Sequence, residues 1–413
     1  MKNTADVREI AALIKPGQKI FVGGSCNEPS GLLHAIVQSE PQQWLPEALQ
    51  FIQFPIAGLN QFDFTRWHEQ ATLTTFFMTP ALRDATPSRL HFLPMHMRTV
   101  YDYLADTAEV ALIQVAYDRH GQLRLGPNVD FIDAVLSRAR VVIAELNRSL
   151  VAPAGCPLIS PERLDFVYES ERTLTEFGTP DIDAVAAQIG AHVASLVSDG
   201  DCIQTGIGAI PAAILKQLES KNDLGLHGGL IDDGGMALIR NGNVTGTQKA
   251  IDRGLHVTGM ALGSKVLYDW LADTPEVVFR GADHTHEVTV IRQLSNFVSV
   301  NSAVEIDLSG QVNAEVAGGR QISGTGGSVD FMRGAKASPG GRSIVAMHAT
   351  ARGGSVSRIV RRVDMVTALR TDVDVVVTEY GIAHLKYLPA PQRAEALINV
   401  AAPQFRNELR AEA

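Results

Sequence analysis

The chain has 413 residues, 45% of them hydrophobic and 20% charged, with a formal net charge of −9. That length exceeds one ordinary core, so two or three domains are expected. The acidic balance excludes a nucleic-acid binder working through a basic field. The chain lacks the roughly 18-residue apolar run that a membrane span needs. Its first residues, MKNTADVREIAALIKPGQ, carry acids in an apolar helix stripe and lack the basic start, apolar centre and small-residue cleavage site of a signal peptide. Cys26, Cys156 and Cys202 are odd in number and widely spaced. They argue against a disulfide framework and for a reducing compartment, so a cytoplasmic location is expected.

In chain order, Asp6–Ile14 reads as a short helix, followed by a Pro-Gly turn, the strand Ile20–Val22, a Gly-Gly loop and Pro29. Val110 opens a strand, a DxxG turn at Asp118–Gly121 and a second strand, and Val141–Glu145 is a continuous apolar strand ending in Glu145. The same plan then returns. Ile182, Val185, Ala186, Ile189, Val193, Leu196 and Val197 recur at helical spacing, ahead of the strand Cys202–Gln204, a glycine loop and Pro211. Phe297 opens a strand leading to a second DxxG turn at Asp307–Gly310, and Val375–Glu379 echoes Val141–Glu145. Matches in the same order imply two copies of one α/β domain, each with a largely parallel sheet buried on both faces. The turn residues FGTPD at Phe177–Asp181 mark the boundary, giving domains at 1–180 and 181–413. The second carries a Gly- and Ser-rich insertion, about Asn313–Arg370, of the kind that builds binding sites.

Three segments invite a chemical reading. In QTGIGAIPAAIL, the loop Gly206-Ile207-Gly208 enters a helix with Pro211 as its expected first residue. Such a loop offers free N–H groups to an anion, or is a tight turn only; the third glycine of a dinucleotide fingerprint is missing. The segment Gly318–Phe331 holds Gly318, Gly319, Gly324, Gly326 and Gly327, followed by Asp330 and Phe331. It reads as an ordered donor loop facing a carbonyl or phosphoryl oxygen, or as a linker. His284-Thr285-His286-Glu287 would place two histidines on one strand face, but spacing indicates no third ligand, and no metal is expected.

Taken together, QTGIGAIPAAIL, NSAVEIDLSGQVNAE, GGRQISGTGGSVDFMRGA, SRIV at Ser357–Val360, DVDVVVTEYGIAHL and RAEALINVAAPQFRNEL resemble the acetyl-CoA hydrolase/transferase family, with FVGGSCNEP, TTFFMTPALR and VVIAELN matching more loosely. The resemblance implies α/β class: two tandem related open-sheet domains of the CoA-transferase type. It implies coenzyme A as substrate or product, acyl-CoA and a small acceptor as partners, no nucleic acid, no membrane, and a homodimer or larger assembly. CoA or substrate contacts fall on Gly206, Ile207, Gly208, Pro211, Gly324, Gly326, Gly327, Asp330, Phe331 and Arg358.

The family's transferases use a glutamate that attacks the acyl-CoA and then carries CoA as a glutamyl thioester. It lies in a segment of the type LG-I-H-T-E-M followed by an acidic-glycine turn. Here that segment reads LGLHGGLIDDGG, and Gly228-Gly229 stands where Thr-Glu is expected. Glycine has no side chain to acylate. Water could attack the thioester directly, with His227 or Asp232 as base, or an amine or alcohol could attack instead. A relocated carboxylate, Glu305 or Glu315, could restore CoA exchange, or the protein could bind acyl-CoA without turnover. Each residue also has a structural reading. His227 can simply bond a loop, and Asp232 and Asp233 can cap a helix at Gly234–Arg240. Glu305 and Asp307 can serve a strand, and Glu145 and Glu379 can bind backbone donors.

Overall fold

The computed structural model describes residues 6–178 and 180–412. The chain divides into two compact units, one of Met1–Phe177 with Gly259–Asp283, the other of Gly178–Thr258 with His284–Ala413.

The first unit is built on an 8-stranded sheet. Its main path runs Leu90–Phe92, Thr72–Thr75, Gln50–Gln53, Lys19–Val22, Val110–Tyr117, Val141–Asn147, Phe166–Ser170, with every neighbour parallel. The central runs Val110–Ala116 and Val142–Asn147 are buried throughout, as continuous apolar strands covered on both faces must be. The described residues open with a 3-10 helix, Val7–Ala12, capped by the Asp6 carboxylate on Arg8 N at 2.9 Å. Val7 and Ile10 then join Leu32, Leu33, Phe51, Phe64 and Trp67 in one core.

The second unit has a 6-stranded sheet in the order Gly225–Leu226, Cys202–Gln204, Phe297–Asn301, Arg342–Ala346, Val375–Thr378, Gly381–His384. All neighbours are parallel except the last pair. Helices Ala184–Ala194 and Ala209–Gln217 pack on it through Ile189, Val193, Ala213 and Ile214. Asp183 caps the first of them through Ala186 N at 2.7 Å.

The repeated plan is visible in atomic detail at its turns. Asp118 accepts from the backbone of His120 and Gln122 at 2.9 Å each, and Gly121 N returns to Asp118 O. Asp307 accepts from Ser309 N and Gln311 N at 2.9 and 3.0 Å, and Gly310 N returns to Asp307 O. Gly121 and Gly310 take φ of 74° and 95°, a region that disfavours a β-carbon. Asp307 is thus a turn residue. The last echo is displaced by one strand, because Val141–Asn147 and Arg342–Ala346 both flank the long central strand, while Val375–Thr378 takes the place that Phe166–Ser170 has in the first sheet. The sequence match at Val141 and Val375 came from shared burial, which any inner parallel strand imposes.

The first unit buries a polar network at the ends of its central strands. Glu145 is 0% exposed. It accepts from Leu32 N at 3.0 Å, Ser170 Oγ at 2.6 Å and Arg172 Nε at 2.7 Å. Glu379 of the second unit likewise accepts from a backbone N–H, that of Ala349, at 2.9 Å. Both glutamates are therefore held by backbone donors, though only Glu379 stands at a strand end, because the strand expected to stop at Glu145 runs on to Asn147.

Glu28, 3% exposed, accepts from Gln53 Nε2 at 2.8 Å and Ser30 Oγ at 2.9 Å. Burial outweighs these bonds and pushes its carboxyl up to about 7. An acid whose pKa rises on folding favours the folded state fully below its unfolded pKa and loses that advantage as pH climbs through the folded pKa. The window here runs from about pH 4.5 to about 7, and the loss is about 3 kcal/mol. Glu28→Gln keeps the shape without the charge. Urea unfolding of both proteins should show the variant gaining on the wild type by about that amount between pH 4.5 and 8; a pH-independent difference would refute this.

No helix among the described residues is long and apolar enough to cross a membrane.

Candidate active site

Most of the residues singled out by sequence lie in the second unit, at the ends of its inner strands. Gln204 ends a strand, and Gly208, at φ 116°, is the N-cap of helix Ala209–Gln217. Pro211 is the third residue of that helix and not the first. The placement is still permitted, because the first four N–H groups of a helix have no partner within it. Ile207 is 41% exposed at the loop tip. Gln204, Thr205, Gly228, Leu230 and Asp232 line one small cavity, so the end of the strand Cys202–Gln204 and the segment Gly228–Asp232 share a surface, while Gly206, Ile207 and Gly208 lie outside it.

His227 follows strand Gly225–Leu226 and is fully buried. Its Nε2 lies 3.2 Å from the carbonyl of Thr285, and its Nδ1 is buried with no hydrogen-bond partner among the described residues. Burial, and after it the Lys249 cation, push its pKa down to about 3. Asp232 is the N-cap of helix Asp233–Arg240 and accepts from Gly235 N at 2.8 Å. Burial raises its pKa. The cap is the structural role that Asp232 fills.

Gly229 is where the structure adds most. A β-carbon there would stand 2.9 Å from Cε1 and 3.1 Å from Nε2 of His286, with Phe331 Cε2 at 3.8 Å. No carboxylate is among those nearest atoms. The other side of the imidazole is equally tight, since a β-carbon on Gly327 would overlap its Nε2 and Cδ2. His286 thus occupies a slot between two glycines. It packs on Phe331 at 4.4 Å between ring centroids and meets Thr285 Oγ1 through Nδ1 at 2.8 Å. It is 1% exposed, and burial pushes its pKa down to about 3.

Sequence reasoning saw His286 only as half of an alternating pair on a strand. In the structure residues Ala282–Thr285 are a helical turn, so the two histidines diverge. His284 Nε2 meets Asp252 Oδ2 at 2.9 Å, while His286 faces Gly229, Gly327 and Phe331. The missed signal was the coincidence of glycines at 229 and 327, which matters only if something bulky lies between them.

Gly326, at φ 57°, and Gly327 lead into helix Ser328–Ala337, whose N-cap is Gly327. The helix start aims backbone N–H groups out of the loop. Asp330 and Phe331 lie in its first turn and are buried. Gly324 follows Ser323, whose carbonyl takes a bond from Gln321 at 3.0 Å. Glu315 accepts from Gln321 Nε2 at 3.1 Å and from Thr325 Oγ1 at 3.4 Å, so it is tied to the loop itself. Glu305 pairs across strands with Asn313 and accepts from its Nδ2 at 3.3 Å. Arg358 has a buried Nε without a hydrogen-bond partner among the described residues, an unusual state for a guanidinium.

Residues 1–177 match the model of the acetyl-CoA hydrolase/transferase N-terminal domain, and residues 263–413 that of the C-terminal domain. A 4-hydroxybutyrate coenzyme A transferase of Clostridium kluyveri is 36% identical over 404 residues, 96% of this chain and 94% of that protein. An acetyl-CoA hydrolase of Kluyveromyces lactis is 28% identical across 98% of this chain and 88% of its own length. Among solved structures, RipA from Yersinia pestis superposes with a TM-score of 0.92 at 32% identity, covering 100% of this chain and 97% of that one. A 4-hydroxybutyrate CoA-transferase from Porphyromonas gingivalis gives 0.79 at 31% identity, covering 100% and 97%.

Proposed function

Because this chain belongs to the acetyl-CoA hydrolase/transferase family, we propose that it processes acyl-CoA thioesters by direct attack of water or another small acceptor, with no glutamyl-CoA intermediate at position 229. The observation that carries this reading is the His286 imidazole packed 2.9 Å from where a side chain at Gly229 would begin. The position has lost its carboxylate, and the volume has been refilled by a ring.

The remaining parts suit a thioester. Backbone donors at the Gly326-Gly327 helix start can polarise a thioester carbonyl, and one such donor is worth about 3 kcal/mol of barrier. The unsatisfied Nε of Arg358 suits a phosphate or carboxylate of the substrate. Arg358→Gln is expected to raise KM for acyl-CoA about tenfold, which corresponds to about 1.4 kcal/mol. An unchanged KM would remove Arg358 from the substrate site. Neither His227 nor Asp232 is assigned as the base, since each has a bond that accounts for its position.

The test is to offer the protein a panel of acyl-CoAs with and without carboxylate, amine and alcohol acceptors. Free thiol is measured, and borohydride trapping is followed by peptide mass spectrometry. CoA release with an unmodified chain is the expected result. A trapped carboxylate would instead favour CoA exchange through a relocated nucleophile. Glu315 is the first place to look, because it is bonded to Thr325 of the glycine loop. Thermal stabilisation by CoA esters with no product would leave only a binding role.

A further inference from the structure

We propose that His227, Asp252 and His284 form a binding site for a divalent transition-metal ion of the zinc class. Each offers a ligand atom, and the three atoms lie within 4.8 Å of one another. Two imidazoles and one carboxylate are a donor set that zinc, cobalt and nickel accept. The chain supplies it from three separated segments, which is why no spacing in the sequence announces it.

An independent observation points to a missing ligand. A neutral imidazole carries one N–H and one lone pair. His227 Nε2 lies 3.2 Å from the Thr285 carbonyl, which can only accept, so the proton belongs on Nε2. The lone pair is then on Nδ1, in a fully buried residue, and that atom has no partner among the described residues. Buried polar atoms are rarely left so. A histidine whose second nitrogen donates to a backbone carbonyl is the usual arrangement of a metal ligand. Asp252 and His284 already face each other at 2.9 Å, and their side chains keep 17% and 31% exposure, so an ion has a route in.

One group opposes the ion. Lys249 is 4% exposed and donates to the carbonyls of Leu255 at 2.8 Å and Leu226 at 3.3 Å; burial lowers its pKa, and the Asp252 carboxylate acts against that, so an amine that can be cationic sits beside this cluster. Lys249→Met should therefore tighten metal binding. An ion held here would fix the segment 284–286 by its first residue, and with it the His286 ring. The site itself does not depend on the reaction proposed above.

The full-length protein, stripped with chelator, would be titrated with Zn²⁺ and with Co²⁺ under calorimetry and visible absorption. One equivalent of Zn²⁺ should bind and raise Tm, and Co²⁺ should show the intense bands of a low-coordinate site. Asp252→Asn and His284→Gln should each weaken binding about 10–100-fold, whereas His120→Gln, in the Asp118–Gly121 turn of the first unit and outside the cluster, should not. Folded variants that bind as the wild type does, or a wild type without stoichiometric uptake, would overturn the site. Turnover by the stripped protein would leave the functional proposal intact, so the two fail separately.

Discussion

Arg172→Ala is expected to cost about 3–5 kcal/mol of stability, because it strands a buried carboxylate. Glu145 is 0% exposed, within the central strand Val141–Asn147, and Arg172 is the cation that meets it, at 2.7 Å. The same guanidinium donates to Gln114 Oε1 at 2.5 Å and to Glu28 O at 2.6 Å, so its removal takes one donor from each of three acceptors, and the neutral donors that remain, Leu32 N and Ser170 Oγ on Glu145 and Asn147 Nδ2 on Gln114, do not balance the carboxylate's charge. The carboxylate has no room to turn away, since a β-carbon on Gly31 would already lie 2.8 Å from its Oε1. Adding Glu145→Gln to Arg172→Ala should recover a large part of the loss, because the amide removes the uncompensated charge while its oxygen still accepts from Leu32 N. Urea unfolding of the two singles and the double closes a double-mutant cycle. A loss under about 1 kcal/mol in Arg172→Ala would mean that water replaces the guanidinium.

Much of this architecture is legible in the sequence because its causes are local. Continuous apolar runs such as Val110–Ala116 report strands covered on both faces. The two DxxG turns report themselves through an aspartate that binds backbone N–H groups two and four residues on. Gly228-Gly229 is legible too, as a departure from a recognisable segment, and it is this departure on which the proposed function rests.

What packs against Gly229 is not legible, since it depends on a contact between residues 229, 286 and 327 that no periodicity encodes. His284 and His286 look like a strand pair by spacing, yet residues Ala282–Thr285 form a helical turn that sends the rings to different neighbours. The same limit hides Asp252, an unremarkable acid in a loop until His284 is brought to it. Asp232, by contrast, has a local cause that the sequence does show. An Asp ahead of a glycine-rich helix start caps it.

The slot around His286 makes a two-step expectation. Gly229→Glu alone should not produce CoA exchange. Its β-carbon would begin 2.9 Å from the imidazole, and a ring held against Phe331 at 4.4 Å has little freedom to move. Overpacking of this sort costs about 1–3 kcal/mol, so the single variant should melt earlier and remain without a trapped adduct. Gly229→Glu combined with His286→Ala returns the space. The new carboxylate would then attack the thioester carbonyl and expel CoA as the thiolate, leaving an acyl–glutamyl anhydride. The thiolate would attack the glutamyl carbonyl and release the acyl group as its carboxylate, with residue 229 holding the CoA thioester. Borohydride should trap that thioester on the peptide containing residue 229, and exchange between an acyl-CoA and a free carboxylate should rise from background. His286→Ala alone separates the contributions, because it opens the slot without a nucleophile and should yield no adduct. If the double variant folds and binds CoA esters but carries no modification at residue 229, position 229 does not face the thioester. The case for direct attack would then lose its footing, since it depends on that one site having exchanged a carboxylate for a neighbouring ring.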